Sequence, residues 1–329
     1  MWPFESILAG SILVGLTIYA LTGGADYGGG VWDLLATGPR TRAQREIIAR
    51  AIGPIWEANH VWLILVIVIL FTAFPAAFAR ITTVLHIPLT LLLIGVVLRG
   101  SAFAFRSYAT GKRRDRWGFL FAGSSLITPL LLGVTLGAIA SGKVQPVRES
   151  FAESFVLPWW NAFSFATGLF ALILFSYLAA IYLSLESEDR DLQNDFRWRA
   201  LVSGAIVALL ALLVLLLAHR EVPLMAEELM GSRWSLPVLV GAALLHAASM
   251  IAIWSRRFGV GRICGAGFVV FVLWGWGLAQ FPYVVPGDLT FFNTAAPATT
   301  LNFLLIALGA GALFLFPSFY YLFRVFKKT

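Results

Sequence analysis

The chain has 329 residues, of which 59% are hydrophobic, 14% aromatic and only 12% charged. A soluble domain carries about 25% charged residues, so this composition excludes a water-soluble globular protein. Lys and Arg outnumber Asp and Glu by 24 to 17, but the basic residues lie in short segments between apolar runs. That placement indicates membrane orientation and argues against a nucleic-acid partner. The single cysteine, Cys264, excludes an intrachain disulfide and a cysteine-based metal site.

Nine apolar runs are long enough to cross a bilayer, since one crossing needs about 20 residues. They fall at about residues 6–25, 54–76, 81–103, 117–141, 158–185, 199–219, 235–255, 261–283 and 299–323. The sequence therefore predicts an all-α integral membrane protein with nine transmembrane helices in one polytopic domain, residues 1–329. The acidic segment 186–195 marks a polar hinge near the midpoint of the chain, and we consider two halves, 1–142 and 155–283, followed by a final helix at about 299–323.

The basic residues alternate between the two sides of this arrangement. Of the 24 Lys and Arg residues, 19 fall in segments 27–53, 99–116, 186–199 and 255–262 and in the C-terminal tail. The positive-inside rule then places these segments in the cytoplasm, with the amino terminus outside and the carboxyl terminus inside. The first apolar run has no basic segment before it and no convincing cleavage site after it, so we expect it to be retained as a span.

A few ionisable residues lie where lipid is expected, and these are the candidates for chemistry. A charge at the centre of a membrane helix costs about 2.5–3.5 kcal/mol on insertion scales. A charged residue at such a position is therefore expected to be paired with another group or to have a function. The candidates are Asp26, Glu57, His60, His86 and Arg99. The predicted topology places Asp26, Glu57 and Arg99 at one level, about a third of the way into the membrane from the cytoplasm.

Two interpretations of these charges remain open. In the first, Arg99 neutralises one or both carboxylates and holds the first three spans together. In the second, the carboxylates form a pathway for proton entry, and His60, one turn deeper than Glu57, is the next group on that pathway. His86, near the outer end of its span, is better explained as an interfacial histidine whose hydrogen bonds are satisfied.

Glycines and tryptophans in these spans favour helix packing over ligand binding. The run from Gly28 to Gly30 follows no strand and lacks the phosphate-loop pattern, so it predicts close approach of a neighbouring helix. Trp56 and Trp62 are expected to pack within the bundle, with a quinone tail or a partner subunit as the alternative contact. The four histidines do not pair across spans as haem ligands would.

Several motifs resemble those of subunit II of the cytochrome bd-type quinol oxidases. They are TGGADYGGG at 22–30, IGPIWEANHVWLI at 52–64, FP at 74–75, RGSAFAFR at 99–106, FPYVVP at 281–286 and TLN at 300–302. The match is ordered over the first three spans and resumes near the C-terminus, whereas the spans between agree mainly in hydropathy.

The resemblance implies two four-helix bundles and one additional helix, paired as a heterodimer with a haem-bearing subunit I. In this family subunit I carries haem b and haem d and oxidises quinol, and subunit II stabilises the complex and contributes to a cytoplasmic proton pathway. Asp26 and Glu57 fall on the family's functional acids, with Asn59, Arg99 and Arg106 in the same motifs as charge-balancing or structural residues. The family often has acids where this chain has Gly23 and Ala104, so two carboxylates of the usual set are absent.

The sequence thus predicts a subunit of a quinol:O2 oxidoreductase in a bacterial or archaeal cytoplasmic membrane, which ligates no metal and is not catalytic by itself. Its expected partners are subunit I, membrane lipid, quinone and a small single-helix subunit. Two alternatives remain open, a proton-coupled secondary transporter and a subunit of a related quinone-reactive complex with altered haem content.

Overall fold

The computed structural model describes residues 3–53 and 56–326. Within this part of the chain, nine helical segments are long and apolar enough to cross a membrane, which confirms the predicted all-α, nine-span fold. The helices are α1 Phe4–Leu21, α2 Gly23–Leu34, α3 Thr41–Ile52, α4 Trp56–Ala73, α5 Pro75–Val84, α6 His86–Tyr108, α7 Gly111–Ala140, α8 Phe151–Phe155, α9 Ala162–Glu186, α10 Arg190–Glu221, α11 Pro223–Gly231, α12 Ser235–Trp254, α13 Phe258–Gln280 and α14 Ala298–Phe326. A two-stranded antiparallel hairpin, β1 Tyr283–Val285 and β2 Leu289–Thr290, joins α13 to α14.

The first span is longer than the sequence predicts. Helices α1 and α2 follow one another as a single 31-residue crossing that ends at Leu34, whereas the apolar run ends at residue 25. The helix is interrupted at Thr22, whose φ of −105° and ψ of −70° depart from regular helix values and whose hydroxyl donates to the carbonyl of Ile18. The glycine-rich stretch after Thr22 lowers the hydropathy but continues as helix, because its small residues pack against neighbouring helices.

Other helices also extend past their apolar segments into polar ends. The predicted start of α10 at residue 199 is wrong, because Asp189 caps the helix and accepts hydrogen bonds from the backbone N–H groups of Asp191 and Leu192. Helix α7 begins at Gly111 and not at 117. Charged residues at these helix ends lower the local hydropathy, so the ends are not recognised as helix when hydropathy is averaged over a window.

Four further helices lie between the crossings and were not predicted: α3, α5, α8 and α11. Helices α5 and α11 each begin with a proline in the first turn, at Pro75 and Pro223, where the missing N–H has no intrahelical role. Helix α3 carries Ile48 and Ile52 on a buried side that faces Gly29 of α2. The chain therefore turns along one face of the bundle before α4 begins.

Contacts between connections show which helix ends share a face. Arg40, before α3, forms a two-point ion pair with Asp195 near the start of α10, at 2.6 and 2.9 Å. Arg197 of α10 donates to the carbonyls of Ile253 and Trp254 at the end of α12. We call this side, which carries the connections α2–α3, α6–α7, α9–α10 and α12–α13, the basic face.

Two other ion pairs join connections on the opposite face. Arg80 of α5 pairs with Asp288 of the hairpin at 2.9 Å, and Lys143 after α7 pairs with Glu221 at the end of α10 at 3.2 Å. The crossings thus alternate in direction as the positive-inside argument requires. Which face meets the cytoplasm stays a prediction.

Helix α9 is at the centre of the bundle. It packs against α2 and α7 of the first half and against α10 and α13 of the second, and one hydrophobic cluster includes Tyr27, Phe121, Tyr177 and Phe268 from both halves. The proposed halves therefore share a continuous core. Helix α14 lies at the edge, where it contacts α1 and α4.

Candidate functional site

Glycines in α2 allow its backbone to approach two other helices closely. A Cβ atom at Gly28 would overlap the carbonyl of Phe175 in α9, and one at Gly30 would overlap the side chain of Ser125 in α7. Only residues without a side chain fit at these two positions. The polar side chains of α2 are thereby placed in the protein interior and not in lipid.

Asp26 is buried in this packed region, with 6% of its surface exposed. The side-chain amide of Asn59, in the first turn of α4, donates a 2.6 Å hydrogen bond to its Oδ2 atom. Asn59 is itself 1% exposed. A carboxylate in such a place can accept hydrogen bonds when ionised and can bind a proton in place of them, so this site is able to hold a proton within the membrane.

Arg99 of α6 is also buried, with 1% of its surface exposed, and it packs against Tyr27, the residue that follows Asp26. Its Nε atom donates to the hydroxyl of Ser125 at 3.2 Å, and its guanidinium carbon lies 4.5 Å from the ring centre of Tyr27 and 5.3 Å from that of Phe121. Its Nη2 atom has no hydrogen-bond partner among the described atoms. The positive charge therefore lies against two aromatic rings and one hydroxyl group.

His60 lies next to Asn59 in sequence and faces three aromatic rings. Its ring centre is 5.9 Å from that of Tyr19, 6.1 Å from that of Tyr27 and 6.3 Å from that of Trp56. The hydroxyl of Tyr19 donates to that of Tyr27 at 3.3 Å. The Nδ1 atom of His60 is buried without a hydrogen-bond partner in the part of the chain described. We call Asp26, Asn59, Arg99, Tyr27 and His60 the deep cluster.

Glu57 does not join the deep cluster. Its side chain is exposed on the surface of the chain. Side chains two residues apart on a helix point about 200° away from each other, so Glu57 faces outward because Asn59 faces inward. Of the three charged residues predicted to meet, Asp26 precedes Tyr27 in the chain and Arg99 packs on the Tyr27 ring, whereas Glu57 lies on the outer side of α4. Pro54, of the motif that precedes it, lies outside the described residues.

A second acid–arginine pair was missed by the sequence analysis. Asp33, which is 3% exposed, accepts two hydrogen bonds from the guanidinium of Arg106, at 3.0 and 3.1 Å. We call Asp33 and Arg106 the terminal pair, because both lie within the last turn of their helices. A spacing of seven residues separates Asp26 from Asp33 and also Arg99 from Arg106, and this repeat was the available signal.

The remaining predicted residues have packing roles in the structure. Trp56 contacts Phe103, with ring centres 5.8 Å apart, and Trp62 contacts Phe316 and Phe319 of α14 at 6.1 and 5.4 Å. At the start of α6, the Nδ1 atom of His86 is 2.9 Å from the carbonyl oxygen of Thr83, and its ring lies 5.0 Å from that of Phe155.

Two of the histidines lie against aromatic rings. Among the described residues, no group of three or more His, Cys, Asp and Glu side chains is arranged to hold a metal ion. His60 is half-buried and faces the three rings described above. His246 is half-buried and lies near Tyr177 and Phe268, with ring centres 5.5 and 4.7 Å away.

The comparisons with known proteins agree on one family. The model of the family described as cytochrome bd terminal oxidase subunit II matches residues 4–326. A Bacillus subtilis protein named cytochrome bd ubiquinol oxidase subunit 2 is 25% identical over 83% of this chain and 80% of its own length. Another from that organism, whose menaquinol oxidase name is marked provisional, is 24% identical over 98% of this chain and 96% of its own.

A solved structure shares the fold. The bd oxidase of Geobacillus thermodenitrificans includes a chain that superposes with a TM-score of 0.78 at 22% identity and covers 98% of both chains. Together with the match to the family model over nearly the whole length, this confirms the resemblance seen in the motifs. The chain belongs to the cytochrome bd terminal oxidase subunit II family and is a multi-pass membrane subunit of a quinol oxidase complex.

Proposed function

We propose that this subunit stabilises a haem-bearing subunit I and carries protons from the cytoplasmic side toward the site where oxygen is reduced. The observation that supports the proton role is the buried carboxylate of Asp26, which accepts from Asn59 at 2.6 Å within the membrane-spanning region. A carboxylate in that place is costly unless it is paired or used.

The depth of the site suits an inward path. Leu34 ends the first crossing eight residues after Asp26, and Tyr108 ends α6 nine residues after Arg99. At 1.5 Å per residue, both side chains lie about 12–14 Å from the basic face. If the basic face is cytoplasmic, as the positive-inside rule predicts, Asp26 takes protons from the cytoplasm, and His60 is the next polar group on α4.

Glu57 supports a second element of the proposal. An exposed carboxylate in the first turn of a membrane helix is unfavourable against lipid, at a cost of up to about 2.5–3.5 kcal/mol. We therefore assign the side of α4 and α6 that carries Glu57, Ile64 and Val97 to the contact with subunit I. Protons reaching this contact could be passed to groups of the partner.

The haems b and d belong, on this proposal, to subunit I. His60 and His246 are half-buried against aromatic rings of this chain, and we assign the haem ligands to the partner. When bound there, the haems supply the electron transfer and the reduction of oxygen, and the role of this chain is limited to holding and moving protons. The membrane concerned is the bacterial or archaeal cytoplasmic membrane.

The test is Asp26→Asn in the purified two-subunit complex, which preserves the shape of the side chain but removes its titration. We expect normal haem content and a rate of quinol-driven oxygen consumption per haem at least about tenfold lower, as for loss of a positioned proton-transfer group. Asp288→Asn, which removes the acid of the Arg80 pair on the opposite face, is the matched control and is expected to retain turnover. Wild-type turnover of Asp26→Asn at full haem content would overturn the proton role.

A further inference from the structure

The acid and arginine residues of α2 and α6 repeat in register. Asp26 and Asp33 are seven residues apart on α2, and Arg99 and Arg106 are seven residues apart on α6. Seven residues make nearly two full helical turns, so each pair lies on one side of its helix with about 10.5 Å between its members. The deep cluster and the terminal pair are thus two levels of one polar strip between the same helices.

Polar and aromatic side chains of α7 connect the two levels. The ring of Phe121 lies 5.3 Å from the guanidinium carbon of Arg99 and 5.9 Å from that of Arg106. The hydroxyl of Ser125, one turn from Phe121, accepts from Arg99 and lies against Gly30, which is between the two acids on α2. Phe121 of α7 therefore contacts both levels of the strip.

The terminal pair also differs from the acid that this family often has on α6. That acid would stand at position 104, where this chain has Ala104 on an exposed side of the helix. Asp33 instead reaches Arg106 from the interior, with 4% of its side chain exposed against 16% for Arg106. Asp33 is therefore a buried carboxylate of α2 that is held by an arginine of α6.

We infer that Asp33 is the carboxylate through which protons enter the strip from the basic face, with Arg106 as the residue that positions it. The inference rests on the proposed proton role of Asp26. In the entry step, the Asp33 carboxylate binds a proton delivered by water at the basic face and releases one hydrogen bond from Arg106. It then passes the proton inward toward the deep cluster and pairs with Arg106 again, so that the charge of the pair is restored after each transfer.

The first experiment compares Asp33→Asn, Asp33→Glu and wild type in the purified two-subunit complex. For Asp33→Asn we expect a rate of oxygen consumption per haem lower by about tenfold or more, a larger solvent deuterium isotope effect and slower proton uptake from the basic-face side of proteoliposomes. Asp33→Glu keeps a titratable group and is expected to recover most of the turnover. Wild-type rates and isotope effect for Asp33→Asn at full haem content would overturn the inference.

A second variant separates proton entry from a purely structural ion pair. Removing Asp33 alone leaves Arg106 buried without its partner, which is destabilising in its own right. The double variant Asp33→Asn/Arg106→Gln removes both charges, so a structural pair predicts recovery of thermal stability and of turnover. We expect stability to recover while turnover stays low, and recovery of both would overturn the inference.

The results also distinguish this inference from the proposed function. If Asp26→Asn is slow but Asp33→Asn is not, protons reach the deep cluster by another entrance and only the role of Asp33 fails. If Asp26→Asn itself turns over normally, the proton role of the subunit fails, and the role of Asp33 fails with it.

Discussion

Asn59 donates a 2.6 Å hydrogen bond to Asp26 across the contact between α4 and α2, and both side chains are almost fully buried. A hydrogen bond to an ionised group contributes about 1.5–3 kcal/mol. This bond therefore fixes the start of α4 against α2.

We predict that Asn59→Leu destabilises the complex by about 1–3 kcal/mol, because a buried carboxylate loses a donor. The double variant Asn59→Leu/Asp26→Asn should be less destabilised than the sum of the two single variants, since a neutral amide does not require that donor in the same way. Thermal unfolding followed by haem absorbance measures the coupling. Strict additivity of the two changes would show that the hydrogen bond contributes nothing to stability.

The sequence predicts the number of crossings well because each is a long apolar run, but it does not predict where the helices end. Asp33 and Arg106 lie beyond the apolar windows, so hydropathy does not predict that both are helical. The sequence also does not predict that the side chain of Glu57 points outward. Glu57 and Asn59 are both polar and lie on nearly opposite sides of α4, so either could face the protein interior, and the partner available there decides which one does. Interfacial helices such as Thr41–Ile52 have too few apolar residues to stand out.

Glu57 leads to a prediction about the subunit interface. A photocrosslinking residue in place of Ile64, which is two turns along α4 and exposed, should form a covalent product with subunit I in the membrane. The matched control replaces Leu209, an exposed residue of α10, where we expect no product with subunit I. Gel mobility and mass spectrometry identify the crosslinked products. A product with subunit I from Leu209 alone would place the partner on the other side of the bundle.

Arg197 stabilises the end of α12. Its Nε and Nη2 atoms donate to the carbonyls of Ile253 at 3.1 Å and Trp254 at 2.7 Å. Both carbonyls lie in the last turn of that helix, where the regular backbone donors are missing, and the carbonyl of Ile253 also accepts from the N–H of Arg256. We predict that Arg197→Ala lowers the free energy of unfolding by about 1.5–3 kcal/mol. The exposed Arg257 offers a control: Arg257→Ala should leave thermal stability nearly unchanged, and equal effects of the two substitutions would contradict the capping role.

The ion pair of Arg40 with Asp195 ties the α2–α3 connection to α10, supported by a 2.9 Å hydrogen bond from Gln44 to Asp195. The hydrogen bonds that Arg40 donates to Asp195 raise the pKa of Arg40 from its already high value. A raised pKa stabilises the fold below the unfolded-state pKa and loses this effect only as pH rises through the folded-state pKa, which for arginine is far above neutral.

The stabilising effect of this pair should therefore be constant through the neutral pH range and should decrease with salt, because Arg40 is solvent-accessible and its charge is screened. We predict that Asp195→Asn lowers thermal stability slightly at low ionic strength and hardly at all in high salt. Melting temperatures of both proteins across a salt series test this. A difference that grows with salt would indicate that the pair acts through packing and not through charge.

Gly28 permits the closest helix contact at the site, since a Cβ atom there would overlap the backbone carbonyl of Phe175. We predict that Gly28→Ala moves α2 away from α9 and costs about 1–3 kcal/mol, as overpacking does in other cores. Gly10→Ala and Gly123→Ala are matched controls, because a Cβ atom at Gly10 or Gly123 meets nothing within 4 Å. Each of these two substitutions should be neutral or slightly stabilising, because alanine favours helix. The yield of haem-containing complex and its melting temperature report the difference.

Because α2 carries both Asp26 and Asp33, the displaced helix should also lower the rate of oxygen consumption per haem. A Gly28→Ala complex with wild-type stability and rate would show that the contact with Phe175 can relax without moving the two acids.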